Sequence, residues 1–336
     1  MEGLFYSKIN DDKVICTLCP HNCTITDGKF GVCKVRKNVN GTLISENYGP
    51  ISSMGFDPIE KKPLYHFYSG KEILSIGSIG CNLQCQFCQN YSISQIAVAD
   101  FRKNCTTYTP EQIRDIALSH SANIGIAFTY NEPTIFFEFM LETAKIIKSA
   151  GLKNVMVTNG FINPEPLELL NNYIDAYNVD LKAFDDSFYK EYTKSNLEPV
   201  KETLINIIKA GKHLEITNLI IPTLNDSEME FESMCCWIAS NLGKDVVLHI
   251  SRYFPTYKMK IEQTSIDQMI LLYSIAKKYL SFVNLGNVLV DEGTNTYCSS
   301  CKELLISRKG YFTKIVSVDN QGNCAKCKQP IFKNFN

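Results

Sequence analysis

Residues 80–90 read Gly80-Cys81-Asn82-Leu83-Gln84-Cys85-Gln86-Phe87-Cys88-Gln89-Asn90, which sets three cysteines in a C-x3-C-x2-C run. A cubic [4Fe–4S] cluster has four irons, each usually held by a cysteine thiolate. A tight run of three with no fourth cysteine close by holds three irons and leaves the fourth open to a small chelating molecule. Structural zinc, the alternative for clustered thiols, usually comes with two C-x2-C knuckles, and this run has no close partner knuckle. The run follows a strand candidate, Glu72–Ser78, and Gly77 and Gly80 are placed to let the backbone turn tightly into it.

Working outward, an alternation of elements runs from about residue 71 to 290. Strands are expected at Glu72–Ser78, Asn123–Thr129, Asn154–Thr158, Ala176–Leu181, His213–Ile221, Val246–Ser251 and Ser281–Leu285. Several are continuous apolar runs, as in parallel strands buried on both faces. Between them lie helical patterns: one opened by Thr109-Pro110-Glu111, then Pro133–Ser149, Pro164–Asn171, Pro199–Ala210, Ser227–Asn241 capped by Asp226, and Ser265–Tyr279. Strand–helix repetition of this kind makes a parallel α/β sheet, open or closed as a barrel. In such a barrel the loop after the first strand, which carries the three cysteines, opens on the face where active sites are built.

The chain has 14 cysteines in 336 residues. Its start, Met1-Glu2-Gly3-Leu4-Phe5-Tyr6-Ser7-Lys8, is not a secretory signal, and no apolar run reaches the roughly 20 residues that span a bilayer. A cytoplasmic protein is expected, where grouped cysteines bind metal more often than they form disulfides. Cys16, Cys19, Cys23 and Cys33 form a C-x2-C-x3-C-x9-C set that closes either a zinc site or a second [4Fe–4S] cluster, with zinc the expectation. Cys298, Cys301, Cys324 and Cys327 make two C-x2-C knuckles around strand-like Leu304–Ser307 and Phe312–Val318, the pattern of a zinc ribbon. Cys105, Cys235 and Cys236 stand apart and read as core filling. The expected organisation is a Cys-rich region over 1–70, a barrel over 71–290 and a ribbon module over 291–336.

A net charge of −1 argues against a protein that coats nucleic acid or an anionic membrane. Residues 298–336 have seven basic residues, Arg308 among them, against two acidic ones, an excess that reads as a solvated face because no aromatic stacking array accompanies it.

The cysteine run, with aromatic Phe87 before its last member, resembles the signature of radical S-adenosylmethionine (SAM) enzymes. The resemblance to one subfamily extends over nearly the whole chain. It is carried by the N-terminal cysteines, GFDPIEKKPLYHF at 55–67, CNLQCQFCQNYSISQ at 81–95, NLGN at 284–287 and the C-terminal ribbon. That subfamily is the AmmeMemoRadiSam-system radical SAM enzymes, related to pyruvate formate-lyase activating proteins.

The resemblance implies a partial (β/α)6 TIM-like barrel and a [4Fe–4S] cluster on Cys81, Cys85 and Cys88. SAM is then cleaved to a 5′-deoxyadenosyl radical that takes hydrogen from a substrate. It implies SAM contacts at strand ends: Asn131 and Glu132 where the family has Gly-Gly-Glu, Thr158 and Asn159, Asp180 and Lys182, Asn218, and His249. Here Tyr130-Asn131 replaces the two glycines. Gln89, Asn90, Lys61, Lys62 and His66 are candidates to face the substrate. Implied partners are a one-electron donor such as flavodoxin or ferredoxin, and AMMECR1-like and MEMO-like proteins. Two other readings are a glycyl-radical enzyme activating protein, with the same barrel and cluster, and a non-catalytic zinc-ribbon protein that binds nucleic acid.

Overall fold

The computed structural model describes residues 1–96, 98–101 and 105–335. Its main sheet contains β1 (Ser53–Pro58), β2 (Glu72–Gly77), β3 (Asn123–Phe128), β4 (Lys153–Thr158), β5 (Ala176–Asp180), β6 (His213–Ile220), β7 (Val247–Arg252) and β8 (Val283–Gly286), side by side in chain order. Strands β2 to β8 are parallel, and β1 is antiparallel to β2 from Ser53 opposite Gly77 to Pro58 opposite Glu72. Helices follow six of these strands: α1 (Pro110–Leu118), α2 (Phe137–Ser149), α3 (Pro164–Asn171), α4 (Leu197–Lys209), α5 (Glu228–Asn241) and α6 (Ile266–Ala276). Six strand–helix units and a final strand form the expected partial (β/α)6 barrel. The sheet is open, because β1 and β8 pair on one side only.

The seven parallel strands fall where the apolar runs predict them. Ile73, Leu74 and Ile76 of β2 and Ile126, Ala127 and Phe128 of β3 are all buried, which is why they read as unbroken runs rather than alternating ones. Thr109 closes a capping box with Gln112 at the start of α1. The residue at the N-cap of α5 is Ser227; the Asp226 carboxylate, expected there, accepts instead from the Thr223 amide at 2.8 Å. The Pro133–Ser149 pattern divides into a 3₁₀ turn, Pro133–Phe136, and α2.

The N-terminal region is a set of short antiparallel pairings whose apolar residues, including Val14, Leu18 and Leu43, join one continuous core with the barrel. The segment 53–58, grouped by the sequence with this region, is an edge strand of the barrel sheet. The C-terminal module is a three-stranded antiparallel sheet (Thr296–Tyr297, Leu304–Lys309, Phe312–Ile315) over a small core of Leu305, Ile306 and Phe332. Arg308, counted in the basic excess of the ribbon, is not on a solvated face. It is buried, donating from Nη2 to the Tyr65 carbonyl and from Nη1 to the Thr296 hydroxyl, each at 2.8 Å. The Thr313 hydroxyl donates to the buried Glu60 at 2.8 Å. Arg308 therefore docks the module on the barrel.

A polar knot lies beneath the strands. Fully buried Glu215 of β6 accepts from His213 Nε2 at 2.9 Å, His249 Nε2 at 2.6 Å, and the Tyr65 and His66 amides at 2.9 and 2.7 Å. His66 itself sits edge-on to Phe282 and Phe332, and burial pushes its imidazole down to about 3. Its folded value is below the unfolded one, so the neutral ring's contribution is complete above about pH 6.5 and is lost as pH falls toward 3. Unfolding free energy should drop by up to about 1.4 kcal/mol per unit below pH 6.5 from this group. Urea unfolding at pH 7, 6 and 5 checks it: His66→Phe should flatten the slope, and an unchanged slope refutes the assignment.

Candidate active site at the strand ends

The carboxyl ends of the strands surround a cavity of about 410 Å³, in the size range of small-molecule sites. Cys81, Cys85 and Cys88 all line it. Two glycines place them for different reasons. Gly80 is left-handed, at φ +85°, and a Cβ there would lie 2.8 Å from the Cys33 carbonyl. Gly77 is needed for space, since its Cβ would lie 2.8 Å from the Tyr130 ring. The Leu83 amide donates to Cys81 Sγ at 3.3 Å, and Ser94 Oγ lies 3.2 Å from Cys88 Sγ.

Burial pushes the Cys85 thiol up to about 12, and that of Cys81 well above its usual range. Burial of this kind makes the two thiols poor free nucleophiles. Lys182 adds positive charge: its Nζ lies 5.9 Å over the Phe87 ring and pairs with Asp180 at 2.8 Å.

Six of the eight strand-end candidates line the cavity, and their hydrogen bonds divide them. Asn131 accepts from the Ser78 amide at 3.0 Å and donates to the Gly80 carbonyl at 2.8 Å, which pins the cysteine loop to the end of β3. Glu132 is buried and accepts from the Thr134 amide, the Thr158 hydroxyl and the Asn159 amide at 3.0, 2.7 and 2.8 Å, bracing β3 against β4. Burial raises its carboxyl. Asn159 donates to Asn82 Oδ1 at 2.9 Å and lies 3.8 Å from Cys81 Sγ. Asp180, at the end of β5, and Lys182 pair at the cavity, with the Asp180 side chain the more exposed of the two.

Asn218 and His249 are not among the lining residues. Side chains alternate along a strand, so Asn218 faces away from the lumen and donates to the Leu181 carbonyl at 2.7 Å, while Thr217 and Leu219 face in. His249 is on the inner face but two residues short of the mouth, in the Glu215 knot; Ser251 occupies the lining position. His66 belongs to the same knot. Lys61, Lys62, Gln89, Asn90 and, at the end of β8, Asn287 do line the cavity.

Tyr130 does more than replace a glycine. It has φ +74°, the left-handed region a glycine would take without strain, and its hydroxyl donates to Asp57 at 2.9 Å. Asp57 also holds Lys61 and Lys62, each at 2.8 Å, and Lys62 Nζ lies 4.7 Å over the Tyr130 ring. These cations depress the Asp57 carboxyl against the opposing effect of burial.

Among the described residues, Cys298, Cys301, Cys324 and Cys327 are drawn together with all ligand atoms within 4.8 Å, Cys298 and Cys327 at 3.6 Å and Cys301 and Cys324 at 3.6 Å. The N-terminal quartet encloses a separate small cavity. Of the three isolated cysteines only Cys235 is buried; Cys236 is exposed and Cys105 half-buried, so neither of the latter fills core.

Residues 75–233 match the Radical SAM superfamily. An uncharacterised protein of Methanocaldococcus jannaschii is 40% identical over 333 residues, 98% of each chain. The pyruvate formate-lyase-activating enzyme of Clostridium pasteurianum is 24% identical over 194 residues, 56% of this chain and 78% of that protein. SuiB of Streptococcus suis shares the fold, with a TM-score of 0.51 at 13% identity over 67% of this chain and 52% of that one. The chain belongs to the radical SAM superfamily and is an enzyme of that class, whose cofactors are a [4Fe–4S] cluster and SAM. Among the described residues no helix is long and apolar enough to cross a membrane.

Proposed function

We propose that Cys81, Cys85 and Cys88 hold a [4Fe–4S] cluster and that the chain takes hydrogen from a substrate in the barrel mouth. The observation that carries this reading is three thiols on one loop facing a cavity ringed by polar strand-end groups. The chemistry such a cluster supplies when bound is one-electron cleavage of the SAM sulfonium to methionine and a 5′-deoxyadenosyl radical. The protein supplies position and dryness. Asn131 and Asn159 orient the cysteine loop, and Glu132 and Thr158 hold the adjoining strand ends. Asp180 and Lys182, the pair with an exposed face, are the strongest SAM contacts. Lys182→Ala should weaken SAM binding roughly tenfold, about 1.4 kcal/mol, while leaving the iron content unchanged. Equilibrium titration with SAM measures it, and an unchanged affinity removes Lys182 from the site.

Lys61, Lys62 and Tyr130, following β1 and β3, form the substrate side, with Gln89 and Asn90 beside the cysteines. A low-potential one-electron donor such as flavodoxin or ferredoxin serves the enzyme in the cytoplasm. AMMECR1-like and MEMO-like proteins are its working partners, a reading supported by the motifs at 55–67, 81–95 and 284–287. Incubation of the anaerobic protein with SAM and dithionite tests the core of the proposal. Formation of 5′-deoxyadenosine supports it; none, in protein carrying its iron, defeats it.

A second reading, activation of a glycyl-radical enzyme, is favoured by the similarity to the Clostridium pasteurianum activating enzyme. A persistent glycyl radical, seen by EPR on a partner protein, would select it.

For the C-terminal module we propose zinc. Four sulfurs about 2.3 Å from one tetrahedral ion stand about 3.8 Å apart, close to the 3.6 Å found for two of the pairs. So small a core depends on its metal. Cys301→Ser should release about one zinc per chain and open the 298–335 segment to protease while the barrel stays resistant. Metal analysis with limited proteolysis reads both.

A further inference from the structure

Cys16, Cys19, Cys23 and Cys33 do not repeat the geometry of the C-terminal quartet. Their side chains line an enclosed cavity with an otherwise largely apolar wall that includes Leu18, Ile25 and Ile135. Among the described residues, the C-terminal quartet is the one set of three or more ligating groups gathered within 4.8 Å. A tetrahedral zinc leaves no void at its centre, since each sulfur lies about 2.3 Å from the ion. A cubane is held at four corners, so its thiolates stand wider apart around a larger group.

The wall also contains an unanswered donor. Arg36 is 1% exposed and lines the same cavity. Its Nη1 donates to Glu138 at 2.9 Å and its Nη2 to the Leu4 carbonyl, but its Nε is buried with no partner. A buried unpaired N–H costs about 1–3 kcal/mol unless something accepts from it. Sulfides of an anionic cluster are acceptors of the right kind, and such hydrogen bonds are a recognised influence on cluster potential.

The site adjoins the active-site loop at two points. His21, between Cys19 and Cys23, has Nε2 2.7 Å from the Asn82 carbonyl, next to Cys81. The Cys33 carbonyl lies against Gly80, on the other side of Cys81.

We infer that Cys16, Cys19, Cys23 and Cys33 hold a second, fully ligated [4Fe–4S] cluster rather than zinc, packed against the loop that presents the open triad. The inference rests on the N-terminal geometry and does not require the triad to act as proposed above. It is tested on full-length chain, isolated anaerobically, in which Cys81, Cys85 and Cys88 are all replaced by alanine. That protein should keep about four irons and four labile sulfides, with about one zinc, and show a low-spin EPR signal on dithionite reduction. Protein free of iron, with zinc raised to about two or the site left bare, overturns the inference. Should the triple variant fail to fold, the pair Cys16→Ser and Cys19→Ser reads the site from the other side. It should halve the iron of the parent and leave zinc unchanged. Full retention of iron, or loss of one zinc instead, overturns the inference equally. Loss of all iron in the triad variant defeats the second cluster alone, whereas iron retained in the parent with no SAM cleavage defeats only the reading of the triad.

Discussion

Replacing Cys85 with alanine is expected to bring 5′-deoxyadenosine formation from SAM under dithionite down to the level of a reaction without protein. Cys85 is 8% exposed and lines the cavity beside Cys81 and Cys88, and burial pushes its thiol up, which makes it a poor free nucleophile and leaves metal ligation as its proposed role. With one of three ligands gone, the site offers two thiolates and no other cysteine lining the cavity. The packing cost is small, because alanine removes one atom beside a cavity, so the variant should fold and unfold near the parent's midpoint. That separates lost chemistry from lost structure. SAM cleavage at the parental rate by folded Cys85→Ala would rule out the assigned iron ligation.

Glu215→Ala is expected to lower the free energy of unfolding by about 3–5 kcal/mol, the range for breaking a buried charge network on one side. The carboxylate is fully buried, and its hydrogen bonds to His213 and His249 hold it ionised against strong desolvation, well below the usual carboxylate range. Removal leaves two imidazoles and the amides of Tyr65 and His66 without their acceptor. Against a typical total of about 5–15 kcal/mol this is a large share. Glu215→Gln keeps an acceptor oxygen and should cost less than alanine. Because the folded-state carboxyl is depressed, its contribution is present above about pH 4.5 and lost as pH falls below it, so the difference between parent and Glu215→Ala should shrink in acid. Chemical denaturation at pH 7 and pH 4 reads both effects. Equal stability of parent and alanine variant at pH 7 would show that the knot does not hold the barrel floor.

The cysteine triad and the strand–helix alternation were legible because each is a short-range property: ligand spacing in one loop, and apolar runs that mark strands buried on both faces. The edge strand Ser53–Pro58 was not, since its half-exposed MGFDP segment forms only by pairing with β2. The site followed the same division. Asp180 and Lys182 could be read from their place at a strand end, but Asn218 and His249 could not be judged, because which way a side chain faces depends on register to the residue. Thr217, Ser251 and Asn287 were missed although alternation along β6 and β7 pointed inward to the first two. Tyr130 gave a signal, as a bulky residue where relatives have glycine, but only its φ and its bond to Asp57 show what it does.

Local spacing thus pointed to the superfamily, the barrel and a loop of three cysteines, since cysteine spacing and strand burial are written into consecutive residues. What the folded chain decided is how far apart thiols stand that are equally numerous in sequence. Each end of the chain has four cysteines, with zinc the expectation for both sets. Through-space packing draws one quartet around the span of a single ion and holds the other open around a cavity beside the triad.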